Sequence, residues 1–559
     1  MKLKGLGKRA YNVLFHTHTV SGIVISFALF VIFYAGAFAL FRKEIVQWEN
    51  PEARIENPAP FDFDKALSKV DSVYGLDKSG TINVIFPDHN TPFVTIYGKQ
   101  ETLDSTNKFI GAYVVPGSYR VQDVKEPVTT VGETIYHLHY FRQIPVVGLY
   151  ISGLVALFFL FASITGLLIH WKNLFTKFFS VVKEGKWKQI WTNAHTVLGV
   201  IGLPFQMMYA VTGAFFGLLT LILLPSVFLL YDGDQAKLFA KFRPEDSIEL
   251  KKDALPQEHL SINKLTNKVE TLFPDYHIKR VKLRNYAHEQ ALASFNVDDE
   301  TGISANGVLT MYMSDGVILE DISTYPKQKT YSYQVIDFIS KLHFGEFGGF
   351  FVKIIYFALA MITCFMIISG VLIWQTARNH SKYSYQQRLF HHRVTKVYLA
   401  ICLSMFPSFA ILFLANKCVP MDLLGRVTVV NSIFFTSWLL LILIGLRWNN
   451  YAQLNRNYLA IGGVCSIIVP LSNGLVTQDW IWNTLNTFPR VAIVDLFWLL
   501  SGVGALLLPW KVLKDKEGSN KPDKTENVVN IASELAVKKG NGFRIGTDHM
   551  SQTIPTNFS

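Results

Sequence analysis

Four histidines stand at positions related by an internal repeat, and their type and spacing suit metal ligation. His18 opens the run His18-Thr-Val-Ser-Gly22, and His195 opens His195-Thr-Val-Leu-Gly199. Eighteen residues after each comes the same tripeptide, Gly36-Ala37-Phe38 and Gly213-Ala214-Phe215. A second motif repeats as well: Leu138-His139-Tyr140 matches Leu342-His343-Phe344, with Gly166 and Gly370 each 27 residues beyond the histidine. Imidazoles facing one another in twos suit a planar iron porphyrin, which takes one axial ligand on each face.

The elements that must position these groups are membrane helices. The chain has 559 residues, of which 50% are hydrophobic and only 17% charged, with a mean hydropathy of +0.25. That balance excludes a disordered or purely water-soluble chain. A hydrocarbon core of about 30 Å takes roughly 20 apolar residues as helix. Eight runs qualify, near 19–41, 146–171, 197–230, 350–374, 395–415, 428–447, 458–476 and 491–510. The formal net charge of +11 lies beside these runs rather than in an aromatic-interleaved basic domain, so it reads as topology and not as nucleic-acid binding. Lys2, Lys4, Lys8 and Arg9 precede the first run; Lys172, Lys177, Lys183, Lys186 and Lys188 fill the second connection; Arg378, Lys382, Arg388 and Arg393 fill the fourth. The positive-inside rule puts these segments and both termini in the cytoplasm.

The first four spans are two copies of one unit: a span, an outer insert, a span. Two spans per copy give both copies the same orientation, with a pseudo-twofold axis along the membrane normal. Equivalent histidines then lie at equal depth, His18 with His195 at the cytoplasmic ends and His139 with His343 at the outer ends. Two bis-histidine haem b groups are expected, one near each leaflet. Gly22 and Gly199 follow their histidines by one turn on the same face, where a missing side chain leaves room for a macrocycle. Gly36 and Gly213 lie five turns on, about 27 Å deeper at 1.5 Å per residue, and are expected to make room for the outer group. Pro145 and the long interval from His139 to Gly166 place that outer group near the interface.

His16 and His137 stand two residues before His18 and His139, on nearly opposite helix faces, so the repeat selects His18 and His139. A single histidine at a helix end is more often an interfacial polar residue than a ligand; the weight lies in four at related positions with glycines in register. His170, His380, His391 and His392 have no repeat partner. His170 reads as a snorkelling group, with a ligand or supporting role as the alternative. His391 and His392, beside Arg388 and Arg393, read as a solvated cationic flank. Zinc is less suited to pairs, because closed structural sites take more protein ligands than two. Cys364, Cys402, Cys418 and Cys465 form no CxxC or CxxCH, which removes a disulfide framework, a Cys-rich zinc site and a covalently attached haem.

The expected division is 1–41 for the cytoplasmic start and first span, 42–140 for an outer α/β domain, and 141–230 for the second and third spans. A second outer α/β domain follows at 231–345, then the fourth span at 346–380, four further spans at 381–510 and a disordered cytoplasmic tail at 511–559. Helical spacing is expected at Asp64–Tyr74 and Leu260–Phe273. Strands are expected near Ile82–Phe86, Phe93–Tyr97 and Phe109–Val115, and near Ile278–Leu283, Ala291–Val297 and Val308–Met313.

The His18-xxx-Gly22 opening, the Leu-His pairs at 138 and 342, the segment Leu342-His-Phe-Gly-Glu-Phe-Gly-Gly349 and the Gly370-Val-Leu-Ile-Trp374 ending resemble the PepSY-associated transmembrane helix family over about residues 10–380. That family includes iron-regulated inner-membrane proteins and ferric-siderophore reductases of Gram-negative bacteria. The resemblance implies a membrane α-helical fold with a four-helix haem-binding core, two small periplasmic PepSY-like domains and residence in the bacterial inner membrane. It also implies His18, His139, His195 and His343 as haem iron axial ligands, and electron transfer to a ferric siderophore or other periplasmic acceptor. The last four spans go beyond the family pattern.

No Gly-rich strand-turn-helix fingerprint occurs in the short cytoplasmic loops, so the electron donor is expected to be separate, a membrane quinol or a cytoplasmic reductase. Two other classes compete: a non-redox assembly or sensor protein whose outer domains bind a periplasmic partner, and a transporter. The scarcity of intramembrane carboxylates counts against proton-coupled transport.

Overall fold

The computed structural model describes residues 7–54, 61–87, 93–101, 108–123, 131–173, 187–235, 237–238, 244–246, 248, 250, 255, 257–286, 288–298, 307–323, 325, 331–448 and 450–512. Lys2, Lys4, Lys177, Lys183, Lys186 and the tail from 513 lie outside them.

Among the described residues, eight helical stretches are long and apolar enough to cross a membrane: Lys8–Ala39, Gly148–His170, Leu203–Leu230, Glu346–Arg378, Tyr385–Cys418, Arg426–Gly445, Tyr451–Thr477 and Pro489–Leu508. The helices are α1 (Lys8–Ala39), α2 (Arg42–Glu49), α3 (Phe63–Tyr74), α4 (Val131–His139), α5 (Gly148–His170), α6 (Trp187–Ile201) and α7 (Leu203–Leu230). They continue as α8 (Ile262–Leu272), α9 (Tyr331–Phe344), α10 (Gly349–Arg378), α11 (Tyr385–Leu403), α12 (Met405–Cys418) and α13 (Arg426–Gly445). The last three are α14 (Tyr451–Thr477), α15 (Ile481–Thr487) and α16 (Pro489–Val512).

Two expected runs are broken. The third divides at Gly202, because Pro204 in the first turn of α7 lacks the N–H that a continuous helix needs. The fifth divides at Ser404 ahead of Pro407. The second and third spans cross at Gly153 and Gly217, so closely that a Cβ on Gly217 would stand 2.4 Å from the Gly153 Cα. Small residues at such a crossing let helices pack where no hydrophobic force drives them together.

The outer inserts depart from the expectation of two separate domains. Strands β1 (Thr81–Ile85), β2 (Val94–Lys99), β3 (Phe109–Val114) and β4 (Val121–Asp123) come from the first, and β5 (His277–Arg284), β6 (Leu292–Asp298) and β7 (Gly307–Tyr312) from the second. They form one seven-stranded sheet in the order β4-β3-β2-β1-β5-β6-β7. At the seam β1 pairs antiparallel with β5, Val84 opposite Val281 and Ile82 opposite Leu283. Separate domains would each expose a strand edge, and the seam removes both.

One apolar core spans the seam, with Leu67, Val70, Ile82, Val84 and Ile96 from the first insert packed with Leu265, Val269, Val281, Leu283 and Phe295 from the second. The two covering helices cap each other. Asn263 Oδ1 accepts from the Phe63 N–H at 2.9 Å, and Asp64 Oδ1 accepts from the Ile262 N–H at 2.9 Å. Asp62 Oδ1 adds bonds to the Lys65 N–H and to Asn263 Nδ2. The sheet is fastened to the segment leading into the fourth span by Lys341 of α9, whose ammonium meets buried Asp298 at 2.9 Å, and by Lys279, which pairs with Asp298 and lies 3.6 Å from Glu346 at the start of that span.

Candidate functional site: two imidazole couples

The inner couple is built from the start of α1 and the middle of α6. His18 Nδ1 lies 2.8 Å from the Ala162 carbonyl of α5, and His195 Nδ1 lies 2.9 Å from the Met366 carbonyl of α10. Each carbonyl stands four residues before the repeat glycine. A Cβ on Gly166 would come within 3.1 Å of His18 Cε1, and one on Gly370 within 3.0 Å of His195 Cε1. Thr165 and Ser369, each one residue before those glycines, turn their hydroxyls toward the same ring nitrogens, at 3.4 Å and 3.2 Å. The two ring centres are 6.2 Å apart, with planes at 73°.

The outer couple comes from short helices that precede the second and fourth spans rather than from the spans themselves. His139 ends α4, and its Nδ1 lies 2.8 Å from the Ile32 carbonyl of α1. The turn that leads on into α5 holds Phe141 and Val146 at φ 57° and 63°, a costly left-handed conformation for bulky residues. His343, near the end of α9, has Nδ1 2.8 Å from Thr212 Oγ1, while Tyr209 donates its hydroxyl to the His343 carbonyl at 2.9 Å. The ring centres are 6.0 Å apart, with planes at 43°. Fourteen residues of α1 separate His18 from the Ile32 seat, so the couples lie about 21 Å apart along that helix.

These anchors decide the tautomer. A carbonyl oxygen only accepts, so in a neutral ring His18, His139 and His195 each carry the proton on Nδ1 and leave the Nε2 lone pair free. Thr212 commits its own hydroxyl proton to the Met208 carbonyl at 2.9 Å, so His343 Nδ1 donates to Thr212 Oγ1 and its Nε2 is free likewise. Metal-binding histidines show this arrangement: the second nitrogen is tied down, which fixes the ring and raises its basicity. With metal–nitrogen bonds of about 2 Å and a ring centre roughly 1 Å behind each nitrogen, a metal shared by two rings holds their centres roughly 6 Å apart. Both couples match that spacing. All four imidazoles are half-buried, and an added methyl on Gly22 or Gly199 would meet nothing within 4 Å. The donor set and the open space beside it fit a bis-histidine macrocycle.

Gly36 and Gly213, unlike Gly22 and Gly199, each have a side chain close by. Gly36 is the seat of the His139 ring, and Gly213 lets Ala156 approach, its own Cβ position being 3.2 Å from that methyl. His16 points to the exterior, and His137 is half-buried, 3.8 Å from Glu133. His170 is half-buried as the last residue of α5. His392 is not a solvated flank: it is 3% exposed, stacked on Tyr451 and bonded to its hydroxyl at 2.8 Å. His391 packs edge-on against Trp374. Among the described residues no three His, Cys, Asp or Glu side chains gather as a metal cluster; the four repeat histidines meet only in twos.

The carbonyl seats at Ala162, Met366 and Ile32 escaped the reading of side-chain types. The signal present was the small polar residue ahead of each glycine, Thr165-Gly166 and Ser369-Gly370. A family model described as the PepSY-associated TM region matches residues 15–376, which takes in the first four spans, both inserts and all four histidines. No curated protein matches the chain.

Proposed function

The chain belongs to the PepSY-associated TM region family, and on that basis, together with the two imidazole couples, we propose that it is a dihaem membrane oxidoreductase. It would take electrons from a quinol or a cytoplasmic reductase and deliver them to a periplasmic acceptor, with ferric-siderophore iron as the acceptor class. His18 with His195, and His139 with His343, are the residues that would hold the two haem b groups. When bound, such a group supplies a one-electron couple tuned by its axial ligands, their hydrogen bonds and burial.

The observation that carries this reading is the pair of ring spacings, 6.2 Å and 6.0 Å, each with both Nδ1 atoms hydrogen-bonded to a neighbouring helix. The chain's own part is to fix four imidazoles in one tautomer, clear space at Gly22 and Gly199, and set one couple above the other along α1. The sheet roofs the outer side of the membrane helices through Lys279 and Lys341, close to the α9 segment that carries His343. A reduced ferrous ion is held more weakly than ferric iron by hard oxygen donors, so electron delivery there would loosen a chelate. On this reading the termini lie in the bacterial cytoplasm and the sheet in the periplasm, an orientation that the positive flanks in the sequence support.

The test is an absorption spectrum of the purified chain before and after dithionite. A haem band that shifts on reduction, at about two haems per chain, is expected for paired axial imidazoles. A folded, colourless preparation that takes up no added haem would overturn the reading in favour of partner binding or transport.

A further inference from the structure

The spans beyond the family match are tied to the outer histidine through one short helix. His139 is the last residue of α4, and the first turn of α4 is held from outside. Glu49 Oε1 accepts from the Gly132 N–H at 2.7 Å, Arg42 pairs with Glu133, and Thr134 donates its hydroxyl to Asn431 Oδ1 in the sixth span. Glu49 is fully buried, and its second oxygen accepts from Asn416 Nδ2 of the fifth span at 3.3 Å.

The neighbouring Trp48, also fully buried, donates its indole N–H to Asp495 Oδ1 of the eighth span at 2.8 Å. Asp495 Oδ2 accepts from Asn473 Nδ2 of the seventh at 2.8 Å. Lys417 Nζ donates to the Trp48 carbonyl at 2.9 Å and sits over the Trp48 ring. Each of the last four spans thus contributes a polar side chain to the group that holds α2 and α4. The inner couple, by contrast, takes its seats from α5 and α10.

We propose that the C-terminal spans orient the outer imidazole, with Glu49, Thr134 and Asn431 as positioning residues for His139. A buried carboxyl is costly unless its oxygens are satisfied, so Glu49 binds Asn416 on one side and the α4 backbone on the other. α4 is a single helix of nine residues with Gly132 in its first turn and His139 at its end, so a shift at Gly132 would be carried along it to the ring. This inference rests on the haem reading for its spectroscopic arm and has a second arm that does not.

In the full-length, haem-loaded protein, low-spin electron paramagnetic resonance reports the mutual angle of each imidazole pair, and a redox titration reports each midpoint. Glu49→Ala and Asn431→Leu are expected to shift the outer signal and midpoint and leave the inner ones in place. Glu49→Gln keeps an acceptor for the Gly132 N–H and is expected to restore the outer signal. In haem-free protein, modification of His139 by diethyl pyrocarbonate, read by mass spectrometry, is expected to speed up in Glu49→Ala and not in Glu49→Gln. Outer signals unmoved in both variants, inner and outer signals moved alike, or an unchanged His139 modification rate would each overturn the inference. Failure of the unsubstituted protein to take up haem sinks the haem reading alone and leaves the modification arm to decide.

Discussion

The imidazole of His139 rests directly on the backbone of Gly36: a methyl group built there would stand 2.6 Å from Nδ1 and 2.7 Å from Cε1. No side-chain carbon approaches that closely, so the ring must leave its seat and release the Ile32 carbonyl. Gly36→Ala is therefore expected to abolish the outer haem signal while the inner one persists. Gly22→Ala makes the complementary control. Its methyl meets no protein atom, so the chain should fold normally but take up less haem at the inner site. Equal behaviour of the two variants in a haem titration would contradict both assignments.

The couples should also be separable at the ligands themselves. His18→Ala or His195→Ala is expected to remove the inner haem alone, and His139→Ala or His343→Ala the outer alone. The check is haem stoichiometry with the reduced-minus-oxidised spectrum. Full retention of both haems in any of these four variants would break the pairing.

Lys341 and Asp298 are a sealed ion pair between α9 and β6, with side chains 2% exposed on each side. Removing one partner of such a pair leaves a buried charge uncompensated and costs about 3–5 kcal/mol. Lys341→Met should therefore lower the thermal unfolding midpoint markedly. Lys279 also reaches Asp298, while Asp337, 3.9 Å from Lys341, loses that cation as a neighbour, so a loss within that range is expected.

The Asp62 carboxyl is held below its ordinary range first by the Lys65 backbone N–H and then by Asn263. A carboxyl depressed in the folded state adds stability above its unfolded pKa, and that contribution fades as pH falls through the folded value. Asp62→Ala is expected to cost about 1 kcal/mol at neutral pH, the usual worth of such a cap. Thermal melts of both proteins should converge as the medium becomes strongly acidic. A constant gap across that range would show that the cap acts through shape rather than charge.

Much of this architecture was legible in the sequence where the signal is local or strictly repeated. Eight apolar runs read as spans because length and hydropathy suffice, and the strands around Val84 and Val281 read as alternation. The seam between those strands was not legible, since a strand of a separate domain and a strand paired with a distant insert have the same alternation. The four histidines stood out through their register with glycines. Their seats did not, because Ala162, Met366 and Ile32 act through backbone carbonyls, which every residue possesses. For Gly36, depth along a helix gives its level, but only the path of α4 brings the His139 ring onto it.

The β1–β5 seam has a consequence for how the chain matures. Val84 must wait for Val281, about 200 residues later in synthesis, and such distant pairing is slow. Two further membrane crossings intervene before the mate arrives on the same side. Until then the first insert presents an open strand to its surroundings, a template for mispairing with other nascent chains. The duplicated halves are thus obligate companions: a transcript interrupted after the second span would yield a product with a sticky rim and no roof.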